Sequence, residues 1–291
     1  MALLKAGDKV GIIALSNGLS LRQQDEMNHL QFILNQLSLT LVLPDKLYRS
    51  LSVYHATDKE RAAMLMSYYQ DKEIKAIFDV SGGDLANGIL SYVDFDIIKA
   101  NPKPFFGYSD LTTYLNALYT KTNQVSFLYQ VRHLITTQHH QARVDFEESV
   151  FNEHSNLFNF DYEWIQGEQM KGYVIGGNIR CFLKLAGTPY MPSFDRNILF
   201  LESLSGDIAK ISTYFNHLKQ LGAFDQISGL VLGYFSELED EGYTQTLLEL
   251  IRTIIDKPTL PIIKTSQIGH MKDSKCLIIG KLTSFKSERL G

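Results

Sequence analysis

Phe105-Phe106-Gly107-Tyr108-Ser109-Asp110 is an apolar run that ends in a polar turn, and it passes straight into Leu111-Thr112-Thr113-Tyr114-Leu115-Asn116-Ala117-Leu118. The run reads as a strand and its continuation as a helix. Strand, tight turn, serine and helix together form the layout of a nucleophile elbow, which lifts a hydroxyl to the C-terminal edge of a sheet and aims nearby backbone N–H groups at what it attacks. The second glycine of the hydrolase elbow is missing. A strand that ends in Ser-Asp and caps the next helix is also an ordinary solution, because both side chains accept bonds from free first-turn N–H groups.

The same alternation extends outward from this stretch. Lys9 to Leu15, Leu39 to Leu43 and Ile74 to Val80 are further apolar runs, separated by the helical patterns Arg22 to Leu37 and Asp58 to Tyr69. Apolar runs without strict alternation, separated by helices, indicate a parallel sheet covered on both faces. Ligands of such sheets bind beyond the C-terminal strand ends, where Ser81-Gly82-Gly83 and Ser109 both fall. From about His133 to Gln169 the periodicity fades. Strands and helices resume at Lys171 to Asn178, with further strands at Asn197 to Glu202, Leu230 to Gly233 and near Ile263 and Ile279. The division expected is 1–135 as an N-terminal α/β domain, 136–169 as a connection and 170–291 as a C-terminal domain.

Composition limits the functions open to the chain. Its 291 residues suit two domains, and 45% hydrophobic with 21% charged residues is ordinary for a globular protein. A net charge of -4 with scattered Lys and Arg gives no nucleic-acid footprint. Cys181 and Cys276 make no disulfide framework and read as buried thiols in a reducing compartment. Lys5, Asp8 and Lys9 interrupt any signal-peptide stretch, and no segment is apolar for the roughly 20 residues that span a bilayer. A cytoplasmic protein without membrane contact is expected. His139-His140 has no carboxylate or cysteine cluster at ligand spacing, so it reads as solvated surface and no metal is expected.

Two later segments support Ser109 as more than a cap. Asn197-Ile198-Leu199-Phe200-Leu201-Glu202 is an apolar strand ending on a carboxylate, and Ile268-Gly269-His270 places a histidine after a glycine. Serine, then acid, then histidine is one chain order a hydrolytic triad takes. With Gly7-Asp8-Lys9-Val10, Ser81-Gly82-Gly83, Gly107-Tyr108-Ser109-Asp110, Gly176-Gly177-Asn178, Gly187-Thr188-Pro189-Tyr190 and Gly229-Leu230-Val231-Leu232-Gly233, these segments are spread along nearly the whole chain. In order and spacing the chain resembles the LD-carboxypeptidases, a serine peptidase family that also includes the microcin-C immunity peptidases.

The resemblance implies an α/β architecture: a flavodoxin-like layered parallel-sheet domain followed by a smaller α/β domain with a partly closed sheet, and a site in the groove between them. It implies Ser109 as nucleophile, His270 as base and Glu202 as the acid that orients it. The backbone N–H groups of Gly83 and Asp110 are candidate oxyanion donors, and Gly82, Asp84 and Tyr108 candidate substrate contacts. No cofactor is implied. The partners expected are a small peptide or peptidyl-nucleotide substrate and a second copy of the chain in a homodimer. The leading substrate is a murein tetrapeptide, met in peptidoglycan recycling, from which a terminal D-amino acid is removed. The alternatives are an amidase that cuts peptidyl or aminoacyl nucleotides and an inactive peptide-binding relative. Ser81 to Asp84, Ser126 to Gln130 and Ile279 depart from the patterns common in the family, and the Gly-Gly-Asp form stands closer to the immunity branch.

Overall fold

Val10, Ile12, Ile13, Ile77, Phe78, Phe105 and Phe106 are wholly buried, which is why the strands that carry them read as unbroken apolar runs. The computed structural model describes residues 2–135 and 140–287. Its strands are β1 (Lys9–Ile13), β2 (Thr40–Val42), β3 (Ile74–Asp79), β4 (Phe105–Gly107), β5 (Ser126–Leu128), β6 (Glu163–Gln166), β7 (Gln169–Asn178), β8 (Ile198–Ser203), β9 (Gly229–Phe235), β10 (Ile262–Lys264), β11 (Leu277–Ile279) and β12 (Leu282–Lys286).

Two six-stranded sheets result, ordered β11-β5-β4-β3-β1-β2 and β12-β7-β8-β9-β10-β6. In the first, β1 to β5 pair in parallel, and the order reverses between β1 and β3. In the second, β7 to β10 are parallel, with β12 and β6 added antiparallel at its two free edges. This is the α/β architecture expected: a flavodoxin-like strand order followed by a second, partly closed sheet.

Three segments sit otherwise than a division at 135 and 170 implies. Leu277–Ile279 leaves the second half of the chain and pairs antiparallel with β5 of the first sheet. The 136–169 stretch holds a helix, His140–Phe151, which buries Phe146 and Val150, and it also holds β6, an edge of the second sheet. Short strands carry too few residues for a pattern to name their partners, and a helix whose apolar residues are not gathered on one face gives a weak period. His139-His140 lies outside the described side chains.

The two sheets share one apolar core. Tyr114, Leu115 and Leu118, from the helix Thr112–Thr122, belong to the same cluster as Val174, Ile198, Phe200 and Val231. That helix is buried continuously from Thr112 to Leu118, so it is a contact layer between sheets and not an amphipathic cover. Polar groups fix its register. Asn116 donates to the Gly176 carbonyl at 2.8 Å and accepts from the Gly176 N–H at 2.9 Å. Thr112 Oγ1 accepts from the Asn178 N–H at 3.0 Å. Gly177 has φ +141°, and a Cβ there would lie 2.5 Å from Thr112 Oγ1. Gly177→Ala is expected to lower stability by about 2–4 kcal/mol, combining backbone strain with overpacking. Urea unfolding checks this, and a change below about 0.5 kcal/mol would contradict the docking role.

Candidate active site

β4 ends at the C-terminal edge of the first sheet, and the chain turns sharply there. Tyr108 is extended at φ -146°, whereas Ser109 adopts φ +56°, a left-handed conformation that costs a non-glycine residue about 1–2 kcal/mol. A 3₁₀ turn, Ser109–Leu111, leads into the helix Thr112–Thr122. The buried Leu111 and Tyr108 hold the turn in place. The elbow legible in the sequence is therefore present, with the strain at its serine.

Ser109, His270 and Glu202, 161 and 68 residues apart in sequence, form one hydrogen-bonded line. His270 Nε2 stands 3.0 Å from Ser109 Oγ, and Nδ1 stands 2.7 Å from Glu202 Oε2. The carboxylate accepts, so Nδ1 carries the proton and Nε2 is free to accept from the serine hydroxyl. Glu202 is fully buried at the end of β8. Its other oxygen, Oε1, accepts from Asn178 Nδ2 at 3.1 Å. Asn178 also caps the helix Ile179–Leu183, so its rotamer is fixed from two sides. The edge of Tyr108 packs against the His270 ring, with centroids 4.9 Å apart. Burial, and next the charge of Glu202, holds the Tyr108 phenol well above its ordinary value.

Ser81, Gly82, Gly83, Tyr108, Ser109 and His270 line a cavity of about 620 Å³ above the C-terminal ends of β3 and β4. Gly83 has φ +126°, and a Cβ there would fall 2.2 Å from Asn17 Cγ, so this turn demands glycine. Asp110 is wholly buried and does not line the cavity, although its N–H directly follows the serine. Its carboxylate accepts from the Ser16 hydroxyl at 2.6 Å and the Ala86 N–H at 2.8 Å, and pairs with Lys184 Nζ at 2.5 Å.

Asp84 does not line the cavity either. It pairs with Arg180 and, at 3.6 Å, with Lys184. The hydrogen bond from Arg180 is the main reason its carboxyl sits below the ordinary range. Arg180 also donates to the Gly83 carbonyl at 3.2 Å, and Lys184 to the Asp84 carbonyl at 3.0 Å. The helix Ile179–Leu183 and Lys184 after it thus grip the glycine turn and the elbow acid from the other half of the chain. Asp79 ties the strand ends beneath. It accepts from the Leu15 N–H at 2.7 Å and from the Ser81 N–H and hydroxyl at 2.7 and 2.6 Å. Burial pushes its carboxyl up to about 6, with those donors acting in the opposite sense.

Sequence reasoning brought out the serine, the acid and the histidine but assigned no role to Asn178, Asp79, Arg180 or Lys184. Gly176-Gly177-Asn178 was visible as a motif, yet its reach to Glu202 depends on the pairing of β7 with β8. Arg180 and Lys184 are unremarkable surface cations in the sequence. Their target is the loop after β3, about 100 residues earlier.

Comparison with known proteins agrees with this architecture. A family model described as the LD-carboxypeptidase N-terminal domain matches residues 10–129. One described as the LD-carboxypeptidase C-terminal domain matches residues 171–285. The "Probable murein peptide carboxypeptidase" of Bacillus subtilis is 26% identical, with 95% of this chain and 88% of that protein covered. The microcin C7 self-immunity protein MccF of Escherichia coli is 27% identical, over 77% of this chain and 74% of its own. The crystal structure of an MccF-like protein from Bacillus anthracis superposes with a TM-score of 0.86 at 25% identity, covering 98% of this chain and 95% of that one.

Proposed function

The chain belongs to the LD-carboxypeptidase family of serine peptidases, and we propose that Ser109 is its nucleophile, His270 its general base and Glu202 the acid that orients His270. The observation that carries this reading is the unbroken line from Ser109 Oγ through both imidazole nitrogens to the buried Glu202. Ser109 Oγ attacks the scissile carbonyl and passes its proton to His270 Nε2. Glu202 stabilises the imidazolium. The oxyanion is received by backbone N–H groups, with those of Gly83 and Asp110 as the candidates. His270 then returns the proton to the leaving nitrogen, an acyl-enzyme remains on Ser109, and water activated by His270 releases it. Gly82 and Tyr108 line the cavity and remain candidate substrate contacts. Asp84 acts instead through the glycine turn.

The substrate proposed is a murein tetrapeptide, cut at its terminal D-amino acid in peptidoglycan recycling. A second reading keeps the chemistry and takes an aminoacyl or peptidyl nucleotide. The similarity to MccF favours it, as does the solved complex of that protein with glutamyl sulfamoyl guanosine, which is 22% identical. Incubation with a tetrapeptide ending in D-alanine and with an aminoacyl adenylate amide, followed by mass spectrometry, separates the two. Release of neither product would refute the peptidase reading.

Among the described residues no helix is long and apolar enough to cross a membrane, and no group of three or more His, Cys, Asp or Glu could hold a metal ion. EDTA is therefore expected to leave turnover unchanged, and loss in EDTA with recovery in zinc would sink the serine mechanism. A cytoplasmic homodimer completes the proposal, to be checked by sedimentation and cell fractionation.

A further inference from the structure

Arg132 is a charge in the Ser109 cavity that the mechanism does not use. It lies in the 3₁₀ turn Val131–Ile135, which follows β5, at the same sheet edge as Ser109. It lines the cavity together with Ser109, His270, Glu26 and Lys272. Its side chain is only 25% exposed. Its Nε is sealed from solvent and has no hydrogen-bond partner among the described residues. The paired acid is Glu26, whose Oε2 stands 3.6 Å from Nη1, too far for a hydrogen bond. Burial draws the Arg132 guanidinium below its usual value, while Glu26 and Asp79 act the other way; it stays charged.

Nε is the one Arg132 nitrogen both sealed and unpartnered, so a ligand in the cavity would meet the terminal nitrogens of the guanidinium. Its fork of N–H donors matches a carboxylate or a phosphoryl group, and Lys272 adds a second positive charge to the same cavity. An enzyme that removes only the terminal residue must read the chain end. That end carries an α-carboxylate next but one to the scissile nitrogen, whereas an internal bond has a neutral amide there. We propose that Arg132 anchors the anion carried by the leaving half of the substrate, and so confines cleavage to chain ends. This inference rests on the assignment of Ser109 and His270 made above. The phosphoryl group of an aminoacyl phosphoramidate nucleotide puts an anion at a similar distance. The shared chemistry is thus an anion on the leaving side, and the substrate decides its source.

Binding to the Ser109→Ala protein reads this anchor without turnover. Two ligand pairs are compared by calorimetry: the tetrapeptide with a free C-terminal carboxylate against its C-terminal amide, and an aminoacyl phosphoramidate nucleotide against its uncharged methyl ester. The charged member of one pair is expected to bind on the order of 10²-fold more tightly. Adding Arg132→Gln should remove that preference by weakening the charged ligand alone. Arg132→Lys should restore part of it, since the charge returns without the fork. The pair that shows the preference names the anion. Equal binding within both pairs overturns the proposal, as does an Arg132→Gln change that weakens charged and neutral ligands alike. Wild-type turnover on the same compounds is a separate measurement. Its failure would indict the peptidase reading, while a lost anion preference indicts Arg132.

Discussion

Ser109→Ala is expected to lower turnover by about 10⁶-fold while leaving the fold intact, because loss of a triad nucleophile removes the covalent route altogether. The Ser109 hydroxyl has His270 Nε2 as its hydrogen-bond partner, so its removal orphans no backbone group. Alanine meets the same left-handed backbone as the serine it replaces, and the strain at φ +56° is carried over, not added. The thermal midpoint should therefore move little. The measurement is single-turnover cleavage beside a melting curve. Wild-type turnover in the variant would show that another group attacks.

Glu202→Gln is expected to cost 10²- to 10⁴-fold, on the order of what neutralising a triad acid does, and mainly in kcat. The structure explains why an isosteric amide is a poor substitute. Glu202 accepts on both oxygens, from Asn178 Nδ2 and from His270 Nδ1. Glutamine has one oxygen. If it serves His270, its NH₂ faces the NH₂ of Asn178 and both lose an acceptor. If it serves Asn178, its NH₂ faces Nδ1, which must then accept, and the imidazole proton moves to Nε2. That tautomer donates toward Ser109 and can no longer take its proton. Adding Asn178→Asp to Glu202→Gln is expected to recover part of the rate, since an aspartate accepts from the glutamine NH₂ and lets its oxygen turn to Nδ1. A Glu202→Gln enzyme with near-normal kcat would place the acid elsewhere.

Much of this protein was legible because burial writes itself into composition. Strands covered on both faces must be apolar throughout, so β1, β3, β4 and β8 stood out, and polar residues at their ends marked the sheet edge where ligands bind. The elbow was legible for the same reason: Phe105 and Phe106 are core, and the apolar run breaks at the half-buried Ser109. Edge elements were harder. Glu163–Gln166 alternates too briefly to declare a strand, and the apolar residues of the helix His140–Phe151 are interspersed with charged ones and set no clear period.

By itself the sequence determined which central segments are strands, which side chains end them, and that a serine, an acid and a histidine stand in a workable order. Local patterning decides these, since each depends on neighbours within a few residues. Only the tertiary structure decided that Ser109 meets His270 at 3.0 Å, that Asn178 holds the second oxygen of Glu202, and that Leu277–Ile279 returns to the first sheet. It alone decided that Arg180 and Lys184 reach the turn after β3, and that Arg132 shares a cavity with the serine. These contacts join residues from about 20 to more than 160 positions apart. Their geometry is set by the packing of the helix Thr112–Thr122 between two sheets, and no local pattern encodes that packing.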